Sequence, residues 1–157
     1  MKPIVEIVSA RASTHAHATE NEGAVRAAVS RLALQLNGKP DPVQSTSLQG
    51  DAGNRIVVVT LTAKRRKEID KFLGSLAAGL KREDKNILGR FFDVFFDVDT
   101  RILYLRLHKQ CLHHGHFRLS RDDDIVHVAI KLAVHGKTPD GNAADCKAFL
   151  LDRGILA

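Results

Sequence analysis

The chain has 157 residues, of which 44% are hydrophobic and 27% are charged, and only two are cysteines. This length suits one domain with its own core, and two isolated cysteines exclude a disulfide framework and a zinc finger of paired cysteines. The apolar runs are too short for a membrane span, and the opening MKPIVEIVSA lacks the apolar region of a secretory signal, so we expect a cytoplasmic protein. The formal net charge of +6 favours an anionic partner. The whole excess lies between Arg55 and Arg90, where ten Lys or Arg accompany four Asp or Glu.

The N-terminal residues predict a strand followed by a helix. Residues 7 to 18 alternate between an apolar face that starts with Val8 and a more polar face that starts with Ile7, which is typical of a half-buried strand. Thr19 and Glu22 match a capping box, so a helix is expected from there to about residue 36.

Proline and glycine among polar residues predict a long loop from residue 37 to residue 54. The β-branched run at residues 56 to 61 predicts a second strand. Thr62 is the candidate cap of a second helix, which is expected to end in a turn at residues 81 to 86.

The C-terminal half predicts a hairpin and one more strand. Residues 92 to 98 and 103 to 108 alternate as paired strands do, and residues 125 to 134 follow the same pattern before a short helix capped by Asn142. The order β-α-β-α-β-β-β-α predicts an α+β fold, a two-layer α/β sandwich whose mixed sheet has helices on one face and water on the other. We expect one domain at residues 1–134, with a C-terminal loop and short helix at 135–157 docked on it.

The water-facing side of this predicted sheet collects cationic and hydrogen-bonding side chains with one aromatic ring. A basic sheet face with a stacking ring suits the backbone and bases of RNA. A solvated face that carries charge only for solubility explains the same pattern equally well. The side chains concerned are Arg11, His15, His17, Tyr104, Arg106, His108, His127 and Lys131.

Four basic residues, Lys64, Arg65, Arg66 and Lys67, fall in the first turn of the second predicted helix. The helix dipole disfavours cations there, and a bound phosphate would reverse the penalty because helix N-terminal amides and basic side chains attract the same anion. The alternative is a solvated basic turn.

A G-x-x-G turn, Gly50 to Gly53, precedes the second strand and is followed by Asn54. Such a turn can clamp a nucleic-acid backbone, but this one does not join two helices as it does in KH domains. A turn that simply needs a positive φ is the simpler explanation.

Two clusters suggest a metal. His114 and His116, like His15 and His17, place two imidazoles on one side of an extended segment, with Cys111 in reach, which is a candidate zinc site. The aspartates at 93, 97 and 99, predicted to share a strand face, and the run at 122 to 124 suggest a magnesium-dependent nuclease. Histidines at the edge of an RNA surface, edge-strand protection and turn chemistry explain the same residues, and we favour these explanations.

Four stretches of the chain carry a resemblance to a known family: HATENEGAV at 17–25, QGDAGNRIVVV at 49–59, LYLRLHKQCLHHGHFRL at 103–119 and DDDIVHVAIKL at 122–132. Their most specific piece is Arg106, Leu107, Lys109 and Gln110 followed by Gly115. In that order they resemble a family of small archaeal RNA-binding proteins described as predicted exosome subunits. The resemblance spans roughly residues 4 to 133 and implies RNA binding on an α/β fold like that of double-stranded-RNA-binding domains or of the 5S-RNA-binding ribosomal protein. His108 stands where we expect an acidic or small polar residue in that family.

We therefore predict a non-enzymatic RNA-binding protein without a cofactor, working in an RNA-processing, exosome-like complex or in a ribosome-associated one. The rival hypotheses are a metal-dependent phosphoesterase or nuclease, and a protein-interaction subunit with a basic face. The predicted RNA-binding residues are Lys64, Arg65, Arg66, Lys67, Gly50, Gly53, Asn54, Arg106, Lys109, Gln110, Arg11, His15, His17 and Tyr104.

Overall fold

A computed structural model describes residues 4–33, 43–49, 53–136 and 142–157. In these ranges no helix is both long and apolar enough to cross a membrane. The elements in chain order are β1 (Ile4–Ala16), α1 (Glu22–Ser30), β2 (Val43–Gln49), β3 (Arg55–Ala63), α2 (Arg66–Gly79), α3 (Arg82–Arg90), α4 (Phe92–Phe95), β4 (Phe96–Asp97), β5 (Ile102–His108), α5 (Lys109–His113), β6 (Ile125–His135) and α6 (Asn142–Asp152).

The six strands form one sheet in the order β2-β3-β1-β6-β5-β4. The predicted α+β class is confirmed, with one difference: the ladders between the named strands are all antiparallel, so the sheet is not mixed. Alternate residues of the central strands point into a single core, where they meet the buried sides of the helices. The opposite residues of those strands are exposed or partly exposed, as expected for a sheet whose other face packs against helices.

The first strand contains a bulge that the alternation pattern missed. Its pairing with β6 shifts between Ile7 and Ser9, and the extra residue turns the side chains before it to the other face. Ile7 is therefore packed against the core and Val8 is 43% exposed, the reverse of the predicted arrangement. From Ala10 to Ala16 the predicted faces are correct.

Two predicted helix caps are wrong. The cap of α1 is Asn21, whose Oδ1 accepts a hydrogen bond from the Ala24 amide at 3.1 Å, so Thr19 lies outside the helix. Thr62 remains in β3, and α2 is instead preceded by Arg65, whose amide donates to Oε1 of Glu68 at 3.0 Å. Pairing with β1 extends β3 beyond the β-branched run, which is information that a local capping pattern does not contain.

Three predicted segments have a different structure. The predicted loop contains β2, an edge strand paired with β3 along its whole length, and residues 82 to 90 form α3 where a turn was expected. The predicted strand at 92 to 98 is one helical turn, α4, followed by the two-residue β4. Phe92 and Phe96 explain the error. Both side chains are buried, and their rings stack with centroids 4.8 Å apart. A separation of four residues puts two side chains on the same side of a strand and also of a helix, so the pattern fits both.

The C-terminal residues contribute to the same core. The side chains of Cys146 and Leu150 on α6, and of Ile155 and Leu156 after it, are buried in the cluster that contains the sheet residues. The amide of Ala157 donates to the carbonyl of Lys85 at 3.1 Å, which ties the end of the chain to α3.

Candidate nucleic-acid interface

The uncovered side of the sheet presents cations and an aromatic ring on its three central strands. The register aligns them in rows: Arg11 and Tyr104 flank Ala129, and Arg106 lies beside His127. Tyr104 is 48% exposed, so its ring is available for stacking. We call this surface the open face and define it by Arg11, His15, Tyr104, Arg106, His127 and Lys131.

The electrostatics of the open face favour an anion. No acidic residue occurs in β1 from residue 9 to 15, in β5 from 102 to 106 or in β6 from 125 to 131. Arg106 is held in place because its Nη2 donates to the carbonyl of Asp122 at 2.9 Å. Burial, helped by the charges of Arg106 and His15, lowers the pKa of His127, which keeps that imidazole neutral at pH 7. The permanent positive charge of the face is therefore that of Arg11, Arg106 and Lys131.

Lys109 does not lie on this surface, although the sequence predicts it as an RNA ligand. Its side chain is only 5% exposed, and its ammonium has three protons to donate. Nζ contacts the carbonyl of His15 at 2.7 Å, Oδ1 of Asp124 at 2.9 Å and the carboxylate of Glu20 at 3.2 Å. All three donors are engaged inside the protein, so Lys109 holds β1, α5 and the segment before β6 together and has no donor left for a phosphate.

The neighbouring residues of the same motif have separate roles. His108 caps α5, because its Nδ1 accepts a hydrogen bond from the Cys111 amide at 3.2 Å. Acidic and small polar residues are the usual helix caps, so the residue type expected here from the family resemblance would suit the same capping position. Gln110 is exposed, and its Nε2 donates to Oδ2 of Asp124 at 3.4 Å.

A depression of about 410 Å³ opens where β1 ends, α5 begins and β6 starts. It is continuous with the open face, since His15 and His127 belong to both. Its lining also includes His17, which follows the last residue of β1 and is exposed. The remaining lining residues are Thr14, Glu20, Lys109, Gln110, Asp123, Asp124 and Ile125.

The basic turn, Lys64 to Lys67, follows the end of β3 that lies beside Arg11, at the opposite end of the open face from the depression. Its four side chains are exposed, and in the described part of the chain none of them forms an ion pair. It follows Ala63, which pairs with Ala10, whereas the depression begins at Thr14, four residues further along β1. At 3.3 Å per residue this separation is about 13 Å, so the basic turn does not line the depression.

Only part of the predicted G-x-x-G turn can be placed, because Gly50 lies outside the described residues. Gly53 has φ +77°, a conformation that favours glycine, so the turn explanation accounts for it. Asn54 is exposed beside it, and Arg55 donates from Nη2 to Oγ of Ser47 at 3.1 Å.

The candidate metal clusters do not assemble. Among the described residues, which include every histidine and aspartate of both clusters, no three His, Cys, Asp or Glu side chains are placed to hold an ion. The histidine segment is folded as α5 and a turn rather than as a strand, and Asp93 lies in α4, apart from Asp97 in β4. The geometry that the phosphoesterase hypothesis needs is therefore missing from this part of the chain.

Sequence reasoning missed the two acids that hold Lys109. Glu20 and Asp124 are 104 positions apart, and no local pattern joins them. One signal was present in the sequence. Lys109 comes two residues after Leu107, so the alternation of β5 predicts that its side chain points into the core. A lysine at a buried position requires carboxylate partners. Both acids also fall within stretches that carry the family resemblance.

Comparisons with known proteins agree with this architecture. A family model described as RNA binding matches residues 9–132. The RNA-binding protein PAB1135 of Pyrococcus abyssi is 32% identical over 123 residues, which cover 78% of this chain and 79% of that protein. Two solved structures share the fold. Protein AF2318 of Archaeglobus fulgidus has a TM-score of 0.74 and 20% sequence identity, and the match covers 94% of this chain and 99% of that one. The DUF54 protein Mth689 of Methanothermobacter thermautotrophicus has a TM-score of 0.69 and 21% identity, and the match covers 94% of this chain and 97% of that one. Since the family model covers most of the chain, and the Pyrococcus relative agrees with it, the chain belongs to this RNA-binding protein family.

Proposed function

We propose that the chain binds RNA through the open face. The observation that carries this proposal is the combination of Arg11, Arg106 and Lys131 with an exposed tyrosine ring on three adjacent strands that carry no carboxylate there. The cations contact phosphates and Tyr104 stacks on a base, while His15 and His17 extend the surface towards the depression. The family to which the chain belongs supports RNA as the ligand.

The other predicted ligands have a supporting role in this proposal. The basic turn, Lys64 to Lys67, and the turn at Gly50, Gly53 and Asn54 contact the backbone of a longer RNA beyond the open face. Gln110 lines the depression. Lys109 acts only indirectly, by fixing the segments that carry His15 and Gln110.

We further propose that the chain is a binding protein rather than an enzyme, because its relative is named an RNA-binding protein and the face offers cations and a stacking ring rather than a nucleophile beside a base. The binding unit is the segment 1–134, with residues 135–157 docked on it. The protein acts in the cytoplasm, within an RNA-processing, exosome-like complex or a ribosome-associated one.

The test is binding to short single-stranded RNA across a salt series, with wild type, Arg11→Glu and Arg82→Glu compared. Wild type should give a slope of log affinity against log salt of about −2 to −4, which corresponds to about three to six phosphates. Arg11→Glu should weaken binding about tenfold or more, because it puts a carboxylate at the centre of the face. Arg82→Glu makes the same charge change at an exposed position in the first turn of α3 and should have a much smaller effect.

Two results would contradict the proposal. Equal losses of RNA affinity in Arg11→Glu and Arg82→Glu would mean that binding depends only on the net charge of the protein. A complete lack of RNA binding at low salt would point instead to an acidic protein partner for the same face.

A further inference from the structure

The depression beside the open face has a charge opposite to that of the face. Three of its lining residues are acidic, Glu20, Asp123 and Asp124, and its one permanent cation, Lys109, has all of its donors engaged. The depression is thus net negative beside a positive surface. A phosphate would be repelled there, so a nucleic acid that crosses the open face must present a different group to the depression.

The available hydrogen-bonding atoms are mainly acceptors. Both carboxylate oxygens of Asp124 are occupied, Oδ1 by Lys109 and Oδ2 by the amide nitrogen of Gln110. Glu20 is likewise occupied, by Lys109 and by the amide of His17. Within the described residues, the carboxylate of Asp123 and the side-chain oxygen of Gln110 have no hydrogen-bond partner, and both residues line the depression. The matching ligand is a neutral group with N–H donors.

The walls of the depression suit a flat ring. His15, His17 and His127 supply imidazoles on which a base can stack, and the lowered pKa of His127 lets it do so without adding charge. The volume of about 410 Å³ lies in the range of small-molecule sites, roughly 300 to 1,000 Å³. A base in a duplex cannot enter such a recess, because its edge is paired and its faces are stacked.

We propose that this depression holds one unstacked base of a single-stranded RNA and selects guanine over uracil through the Asp123 carboxylate and the Gln110 carbonyl. Guanine has two adjacent donor groups on its Watson–Crick edge, the ring N1–H and the 2-amino group, which match the two oxygens of a carboxylate. Uracil has one N–H between two carbonyl oxygens, which a carboxylate repels. The inference rests on the proposed function, since the strand must first lie on the open face.

The test compares three eight-nucleotide RNAs: oligouridine, the same strand with one central guanosine, and the same strand with one central inosine, which lacks the 2-amino group. Affinities are measured at fixed salt with EDTA present, so that no divalent cation bridges a carboxylate and a phosphate. For wild type we expect the guanosine strand to bind about five- to 150-fold more tightly than oligouridine, the range for one bidentate base contact, and the inosine strand to fall between them.

Two matched variants separate base recognition from charge. Asp123→Asn and Asp122→Asn each remove one negative charge from neighbouring exposed residues, and Asp122 does not line the depression. Both should bind oligouridine somewhat more tightly than wild type, because a like charge near the RNA is gone. Only Asp123→Asn should lose the preference for guanosine, while Asp122→Asn should keep it within about twofold.

Each other outcome has a definite meaning. Salt-dependent binding of all three RNAs with equal affinity would overturn the base site and leave the proposed function standing. Loss of the guanosine preference in Asp122→Asn as well as in Asp123→Asn would also overturn it, since the preference would then follow charge alone. Binding of none of the RNAs at low salt would overturn the proposed function, and the base site with it.

Discussion

At the scale of single residues, Lys109 is the position where sequence and structure disagree most. Lys109→Met should lower the free energy of unfolding by about 3 kcal/mol at pH 7, because it leaves Glu20 and Asp124 facing each other without a cation. Lys131→Met is the matched control on the exposed face and should change stability by less than about 0.5 kcal/mol. Urea unfolding measures both, and a similar small effect for the two variants would mean that the Lys109 contacts contribute nothing.

The contribution of this site to the free energy of unfolding depends on pH, and the pKa of Asp124 determines the direction of that dependence. The hydrogen bond from Lys109 lowers the pKa of Asp124, with a smaller opposing effect from burial. In the unfolded chain the pKa of this carboxyl is about 4, and in the folded protein it is lower. Such a group stabilises the fold at pH values above its unfolded pKa, and this stabilisation is lost as the pH falls through the folded pKa. The difference in stability between wild type and Lys109→Met should therefore shrink below about pH 4. Unfolding curves at pH 7 and pH 3 measure this, and a constant difference would contradict it.

At the scale of elements, helix α2 contains two glycines with opposite expected behaviour. A Cβ on Gly79 would lie 2.5 Å from Cγ of Phe117, whereas a Cβ on Gly74 would meet no atom within 4 Å. Gly79→Ala should destabilise the protein by about 1–3 kcal/mol through overpacking. Gly74→Ala should stabilise it by up to about 1 kcal/mol because alanine is the better helix former. Thermal or urea unfolding of the pair measures this, and the same sign for both would refute the packing of Phe117 against the end of α2.

At the scale of the whole molecule, the basic turn and the depression are separated along β1 by about 13 Å. Reversal of Lys64, Arg65 and Arg66 to Glu should therefore weaken the binding of a twelve-nucleotide RNA several-fold, and that of a four-nucleotide RNA much less. The fold should persist, since acidic side chains suit the first turn of a helix. Fluorescence anisotropy with the two lengths measures the contrast, and an equal loss on both lengths would place the turn beside the depression.

Periodicity was sufficient for the long elements. The alternation in β1 beyond the bulge, in β5 and in β6 is enough to assign Arg11, Tyr104 and Arg106 to the water-facing side, because successive side chains of a strand alternate between faces. It failed where a short pattern fits two geometries. The spacing of Phe92 and Phe96 fits both a strand and a helix, and in the folded protein α4 begins at Phe92 and ends just before Phe96, and the two rings stack in the core.

The sequence by itself determined the α+β class, the cationic and aromatic character of the open face, and membership of an RNA-binding family, since all of these depend on local pattern or on similarity along the chain. Only the tertiary structure decided that the sheet is antiparallel, that the basic turn and the depression lie at opposite ends of the open face, and that Lys109 is buried between Glu20 and Asp124. The physical reason is that these facts depend on which distant strands pair. Burial and long-range pairing turn a lysine that looks like a phosphate ligand into an internal ion pair.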